Sequence, residues 1–125
     1  FKKRWGRIGD SPVIGAGTYA DNNSCAVSCT GHGEYFIRHA VAFDVCARYK
    51  YLKESVEQAA DYIIHTELNT NAGNGGLIAV DKLGNIAMPY NSGGMFRGFL
   101  YKENGSPEIK KGCGIGKKIV VVGEK

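Results

Sequence analysis

Long apolar runs are missing from the 125-residue chain. Its longest aliphatic stretch is Ile119 to Val122, far short of the roughly 20 residues that cross a bilayer, which excludes a helical membrane span. Cysteine is scarce as well. Cys25, Cys29, Cys46 and Cys113 are even in number but too sparse to staple a small secreted domain, so reduced thiols and a cytoplasmic setting are expected. The first residues, Phe-Lys-Lys-Arg-Trp-Gly-Arg, carry neither an initiator Met nor the apolar core of a signal peptide, and the chain reads as an internal piece of something longer. Two Asn-x-Ser triplets, at Asn22 and Asn104, keep a secretory origin open. An excess of one charge sign is also lacking. The net +4 is supplied by Lys2, Lys3, Arg4 and Arg7, and the other basic residues match the 12 acidic ones in number. No basic face for nucleic acid is expected.

What is present fits an ordinary globular protein. A hydrophobic share of 43% with 22% charge argues against disorder. At 13.5 kDa the chain has the size of one domain, residues 1–125, able to bury about two thirds of its unfolded surface. The 18 glycines cluster where segments meet. Residues 1–12 read as a basic arm ending in the turn-forming Gly9-Asp10-Ser11-Pro12. Val13–Ala20 reads as a strand, and Asp21-Asn22-Asn23-Ser24 turns it back into a second, Cys25–Cys29.

Helical periodicity follows. One helix is expected from Glu34 to about Lys50, with Phe36, Ala40, Phe43 and Ala47 on its buried stripe, widened by Ile37, Val41 and Val45. A second opens on the capping box Ser55/Gln58 and buries Val56, Ala59, Ala60, Ile63 and Ile64. After the break at Asn71–Gly75, Leu77–Val80 and Ile86–Met88 flank Asp81–Asn85 as a hairpin, and further strands are expected near Phe96–Tyr101 and Lys118–Val122. The order β-β-α-α-β-β-β predicts an α+β fold, helices layered on one face of an antiparallel sheet.

Several motifs fail on context. Gly15-Ala16-Gly17-Thr18-Tyr19-Ala20 matches a dinucleotide-binding signature, with Glu34 downstream as a ribose acid, but the turn at Asp21 ends the segment where a helix would have to begin. Gly112-Cys113-Gly114-Ile115-Gly116-Lys117-Lys118 misses the P-loop spacing by one residue and has Lys118 where a hydroxyl must hold magnesium. Cys25, Cys29 and His32 would be half of a zinc site without a second half, and buried thiols account for the cysteines more simply. His39 and His65 lie on expected helices and read as surface or interhelix residues.

The informative constellation joins Gly6-Arg7-Ile8-Gly9-Asp10-Ser11-Pro12 to Ser28-Cys29-Thr30-Gly31-His32-Gly33-Glu34. Thr30–Gly33 should end a strand and open a helix, presenting free N–H groups to an anion. Arg7 offers a planar fork for a carboxylate, and Asp10 an acceptor-only group for an ammonium. One loop could so grip both charged ends of an α-amino acid. On spacing alone, a surface ion pair beside a glycine turn remains the commoner arrangement.

These two blocks, with Gly15–Ala20, Phe36-Ile37-Arg38, Gly75-Gly76-Leu77-Ile78-Ala79-Val80-Asp81 and Gly94-Met95-Phe96-Arg97, resemble the plant-type (type III) asparaginases, also called isoaspartyl peptidases, in order over residues 6–98. From Phe99 onward the resemblance is poor. It implies an N-terminal-nucleophile hydrolase, an αββα sandwich cut autocatalytically into two subunits, in which a threonine hydroxyl is the nucleophile and its own α-amine the base. This chain resembles the second, β subunit, beginning after the expected nucleophile strand. By matching positions, Arg7 would bind the substrate α-carboxylate and Asp10 its α-ammonium. Thr30 and the Gly31 N–H would form the oxyanion hole, and the Gly33 backbone would help hold the amine. The implied reaction is hydrolysis of the β-amide of L-asparagine or of a β-aspartyl dipeptide. The implied partners are the α subunit or the first strands of the β subunit, and a second αβ pair. No cofactor, membrane or nucleic acid is implied, no metal ligand is expected in this chain, and a sodium site would belong to the other subunit. The alternatives are a glycosylasparaginase, whose family shares the Gly-Arg-x-Gly-Asp-Ser-Pro stretch, and a non-catalytic amino-acid-binding module that has lost its nucleophile.

Overall fold

In the computed structural model, which describes residues 4–102, 109–115 and 120–123, the turn at Asp21 joins β1 (Thr18–Ala20) to β2 (Cys25–Gly31) as an antiparallel hairpin. The Asp21 side chain accepts from the Asn23 N–H at 2.9 Å and its carbonyl from the Ser24 N–H at 2.8 Å, the local bonding that makes such residues turn formers. β3 (Gly75–Asp81) pairs antiparallel with β2 along its whole length, and the short β4 (Ile86–Ala87) adds to β3, so the sheet order is β1-β2-β3-β4. Alternation sorts the two faces: Cys25, Val27, Cys29, Leu77 and Ala79 are buried, whereas Ala26, Ser28, Thr30, Ile78 and Val80 face outward.

Helices cover the buried face. α1 (Gly33–Arg38) and α2 (Val41–Ala47) lead into a π-type turn at Arg48–Leu52, and α3 (Val56–Tyr62) runs into another at Ile63–Leu68. α2 packs on β1 and β2, α3 on β3 and β4. The capping box that the sequence predicts is formed in both directions, Gln58 N–H to Ser55 Oγ at 3.1 Å and Ser55 N–H to Gln58 Oε1 at 3.0 Å. The expected stripe, Val56, Ala59, Ala60, Ile63 and Ile64, is buried, and Leu68 extends it. Each large aliphatic residue here contributes about 1.5–3 kcal/mol by leaving water.

Three expectations are corrected. The single helix over Glu34–Lys50 is broken at His39–Ala40, where Ala40 takes the left-handed conformation (φ 47°). The break frees the first N–H groups of α2 to bond the preceding loop, Ala42 to the Ala16 carbonyl at 3.0 Å and Phe43 to that of Gly15 at 2.9 Å. The buried stripe rotates accordingly: Val41, Ala42, Val45 and Cys46 are buried, whereas Ala40 and Phe43 are exposed. The first strand shrinks from Val13–Ala20 to Thr18–Ala20, because successive turns occupy residues 11–17. A strand that the sequence reading omitted, β6 (Ile109–Gly114), pairs on one side with β5 (Arg97–Lys102) and on the other with β7 (Val120–Gly123). Lysine and glycine have little strand preference, so its signal was weak.

The chain divides into two compact units, Phe1–Asn91, which holds the helices and the four-stranded sheet, and Ser92–Lys125, which holds the three-stranded sheet β5-β6-β7. The Asn104 triplet, residues 116–118 of the rejected P-loop pattern and the start of the expected strand at Lys118 lie outside the described residues. No helix among the described residues is long and apolar enough to cross a membrane.

Ser55→Ala removes one arm of the capping box and is expected to lower unfolding stability by about 1 kcal/mol in urea denaturation. An unchanged midpoint would show that tertiary packing alone fixes the start of α3.

Candidate active site

The arm that carries Arg7 and Asp10 enters a tight turn closed by the Val13 N–H on the Asp10 carbonyl at 2.8 Å. Gly17 then passes directly over that carbonyl, so closely that a Cβ at this position would overlap it. The Gly17 carbonyl in turn accepts from the Cys29 N–H at 2.8 Å, which pins the turn to β2. On its other side the Asp10 side chain lies against Gly33, where an added Cβ would stand 2.9 Å from Asp10 Oδ1 and 3.0 Å from Asp10 N. A side chain at this position would crowd the carboxylate and force it to shift.

Asp10 is thereby buried, at 5% exposure, and its Oδ2 has no hydrogen-bond partner among the described residues. Burial pushes its pKa up from the ordinary 3.8, with Glu34 adding to the shift, against the opposing pull of its own backbone N–H and the Arg7 guanidinium. Arg7 itself is exposed, three residues before Asp10 on the same arm. Beneath the site, the Cys29 thiol is buried, and burial together with the Asp10 charge pushes its pKa far up, so it stays neutral. Among the described residues no three His, Cys, Asp or Glu side chains could hold a metal ion together.

The strand end beside Asp10 is shaped by two facing glycines. β2 ends at Gly31 and α1 opens at Gly33, as the sequence predicts, with His32 as N-cap. Gly31 has φ 150° and lies opposite Gly75 of β3. A Cβ on Gly31 would run into the Asn74 carbonyl and come within 2.6 Å of the Gly75 Cα, and one on Gly75 would meet the Thr30 carbonyl and the Gly31 Cα. Thr30, exposed at the outward face and paired with Gly76, is the last side chain before this corner. All five residues singled out in the sequence, Arg7, Asp10, Thr30, Gly31 and Gly33, therefore belong to one end of β2 and the arm beside it.

Sequence reasoning missed Asn91. Its Oδ1 accepts from the Gly75 N–H at 2.8 Å, its Nδ2 donates to the Gly73 carbonyl at 2.9 Å and to Asn69 Oδ1 at 2.8 Å, and its own N–H donates to the Gly75 carbonyl at 2.9 Å. The Asn74 carbonyl then accepts from the His32 N–H at 2.9 Å. One amide thus holds the 69–75 loop against the glycine corner. Nothing in residue spacing pairs Asn91 with a loop some 20 positions earlier.

This arrangement defines an α+β protein with helices on one face of an antiparallel sheet and a glycine-walled carboxylate at one strand end. The chain belongs to the asparaginase family, whose profile matches residues 1–109. It is 51% identical over 96 residues to the isoaspartyl peptidase of Salmonella typhimurium, covering 77% of this chain and 31% of that protein. It is 49% identical over 96 residues to the isoaspartyl peptidase of Escherichia coli, covering 77% and 30%. With the isoaspartyl peptidase/L-asparaginase of Homo sapiens it shares 42% identity over 93 residues, 74% and 30% of the two chains. The chain spans about a third of the length of these relatives.

The buried carboxylate gives a prediction with a definite sign. In the unfolded chain Asp10 ionises around 3.8, but in the fold it ionises later. As pH rises through that window the unfolded state gains and the folded state lags, so stability is drained by this group and the drain is complete above the folded pKa. Asp10→Asn is therefore expected to raise Tm relative to the parent by a margin that widens as pH rises above about 4. A margin that stays level or reverses would show that the carboxylate is comfortably solvated.

Proposed function

We propose that this chain forms the substrate-binding half of an N-terminal-nucleophile amidohydrolase that cleaves the β-amide of L-asparagine and of β-aspartyl dipeptides. The observation that carries the reading is the Asp10 carboxylate, buried against Gly33 with one oxygen lacking a hydrogen bond. A buried acceptor of this kind is costly unless a donor arrives, and a substrate ammonium supplies both charge and hydrogen. The family membership and the names of the relatives support the same reaction.

In this mechanism Arg7 takes the substrate α-carboxylate in a bidentate grip and Asp10, helped by the Gly33 backbone, takes the α-ammonium. The side-chain amide then extends toward Thr30 and Gly31. A threonine outside residues 1–125 attacks the amide carbon, its own α-amine taking the hydroxyl proton. The oxygen that gains charge is received by the Thr30 hydroxyl and the Gly31 N–H, donors fixed in place before the reaction begins. Collapse expels ammonia or an amino acid with the proton returned, and water releases aspartate from the acyl-enzyme. Gly31 suits this task because it sits on a backbone locked by Gly75, Asn74 and Asn91 rather than on a free loop.

The fold reading extends likewise. The outward face of β2 and β3 exposes Ile78 at 47% and Val80 at 41%, consistent with a second sheet lying over it in an αββα sandwich. An α subunit or further β-subunit strands would supply that layer, and pairing of two αβ units would complete a cytoplasmic heterotetramer.

Two variants of the complete enzyme test the assignment. Arg7→Lys keeps the charge but not the fork, so KM for L-asparagine should rise about tenfold, roughly 1.4 kcal/mol of lost charge-assisted bonding. An unchanged KM removes Arg7 from the site. Thr30→Ala should lower kcat by about 10²–10³ with little effect on KM, as expected for a donor used mainly in the transition state. If kcat holds and KM alone rises, Thr30 contacts the ground state and the oxyanion role is wrong.

A further inference from the structure

Away from that site, at the opposite end of β2, Cys25 and Cys46 face one another. Their sulfurs are 2.7 Å apart, about 0.65 Å longer than an S–S bond and well inside ordinary thiol contact. The Cys46 thiol is also within 3.2 Å of the Cys25 carbonyl, so the two residues are held together by backbone as well as side chain. Cys25 opens β2 and Cys46 lies in the last turn of α2, so the contact bridges the sheet and its covering helix. Both thiols are buried, at 3% and 2% exposure. Cys25 also borders a depression of about 360 Å³ lined by Ala20, Asp21, Asn22 and Lys82.

We propose that Cys25 and Cys46 are a redox-responsive pair that closes to a disulfide on exposure to a peroxide. The chemistry balances in two steps. A thiolate of the pair attacks one peroxide oxygen, the O–O bond breaks, a sulfenic acid forms, and the departing hydroxide takes up the proton the thiol had given up and leaves as water. The second sulfur then displaces the hydroxyl as water, forming the S–S bond. In sum, two thiols and one hydrogen peroxide give one disulfide and two waters, the sulfurs being oxidised and the peroxide reduced.

Position makes the pairing selective. Cys29 shares the inward face of β2 but lies four residues further along, about 13 Å from Cys25. Its thiol is held neutral by burial, whereas the Cys25 thiol lowers the pKa of Cys46 by hydrogen bonding to it. Cys113 is exposed and belongs to the other compact unit. The bond would close a loop of 21 residues between strand and helix, a constraint on the unfolded chain that raises thermal stability.

The test treats the full protein with hydrogen peroxide, denatures it, alkylates it, digests it and reads the state of each of Cys25, Cys29, Cys46 and Cys113 by peptide mass. The Cys29→Ala/Cys113→Ser variant removes the other two cysteines of this chain and keeps both residues of the contact. Its Cys25 and Cys46 should both be lost to alkylation. A peptide linking Cys25 to Cys46 should appear, Tm should rise by several degrees, and a dithiol reductant should reverse all three changes. In the parent, Cys25 and Cys46 should be lost to alkylation with the same linkage while Cys29 and Cys113 stay alkylatable. Recovery of both residues as alkylated thiols, their conversion to sulfinic or sulfonic acid without a link, or a link through Cys29 in the parent would each overturn the proposal.

Discussion

A carboxylate that the fold surrounds but does not satisfy organises the turn, strand end and helix start around it, from Asp10 to Gly33. Asp10 is admitted only because Gly17 crosses its carbonyl and Gly33 leaves room for its side chain. The turn that delivers it is tied to β2 through Gly17 and Cys29, and the start of α2 is tied to the same loop through Ala42 and Phe43. Burial without a full set of partners costs stability, and the surrounding packing has to supply it. Sites of this kind are where proteins keep groups that are useful to a ligand and awkward for the fold.

The packing that offsets this cost lies on the helix-covered face of the sheet. α3 and the π-type turn after it set Val56, Ala59, Ala60, Ile63, Ile64 and Leu68 against β3 and β4, in a stripe that hardly departs from ideal spacing. The glycine corner therefore stands at the end of a sheet that is firmly backed by its helices. Asn91 adds a polar anchor where the backbone makes its tightest approach, satisfying Gly75 in both directions.

Much of this was legible in the sequence where one local signal decided the outcome. The capping box at Ser55 and the stripe behind it marked α3, because periodicity and cap agreed. The Asp21 turn gave the β1–β2 hairpin, and the strand-to-helix change at Thr30–Gly33 gave the corner. The break at Ala40 was invisible because it is decided by carbonyls of Gly15 and Ala16, some 25 residues earlier, which local periodicity does not register. The burial of Asp10 was hidden for a related reason. Gly17 and Gly33 looked like turn punctuation, whereas Gly17 makes room for the Asp10 carbonyl and Gly33 for the Asp10 side chain. β6 escaped because its lysines and glycines take their conformation from the strands on either side.

The facing of Gly31 and Gly75 limits how this chain can drift in sequence. Neither position can acquire a side chain while the other strand keeps its path, since each would strike backbone rather than a movable group. Compensation by one neighbouring substitution is closed off, because backbone cannot be trimmed. Any lineage that altered the corner would have to re-space two strands at once, and variation in this protein is therefore channelled to the outward positions of β2 and β3 and to the periphery of the arm.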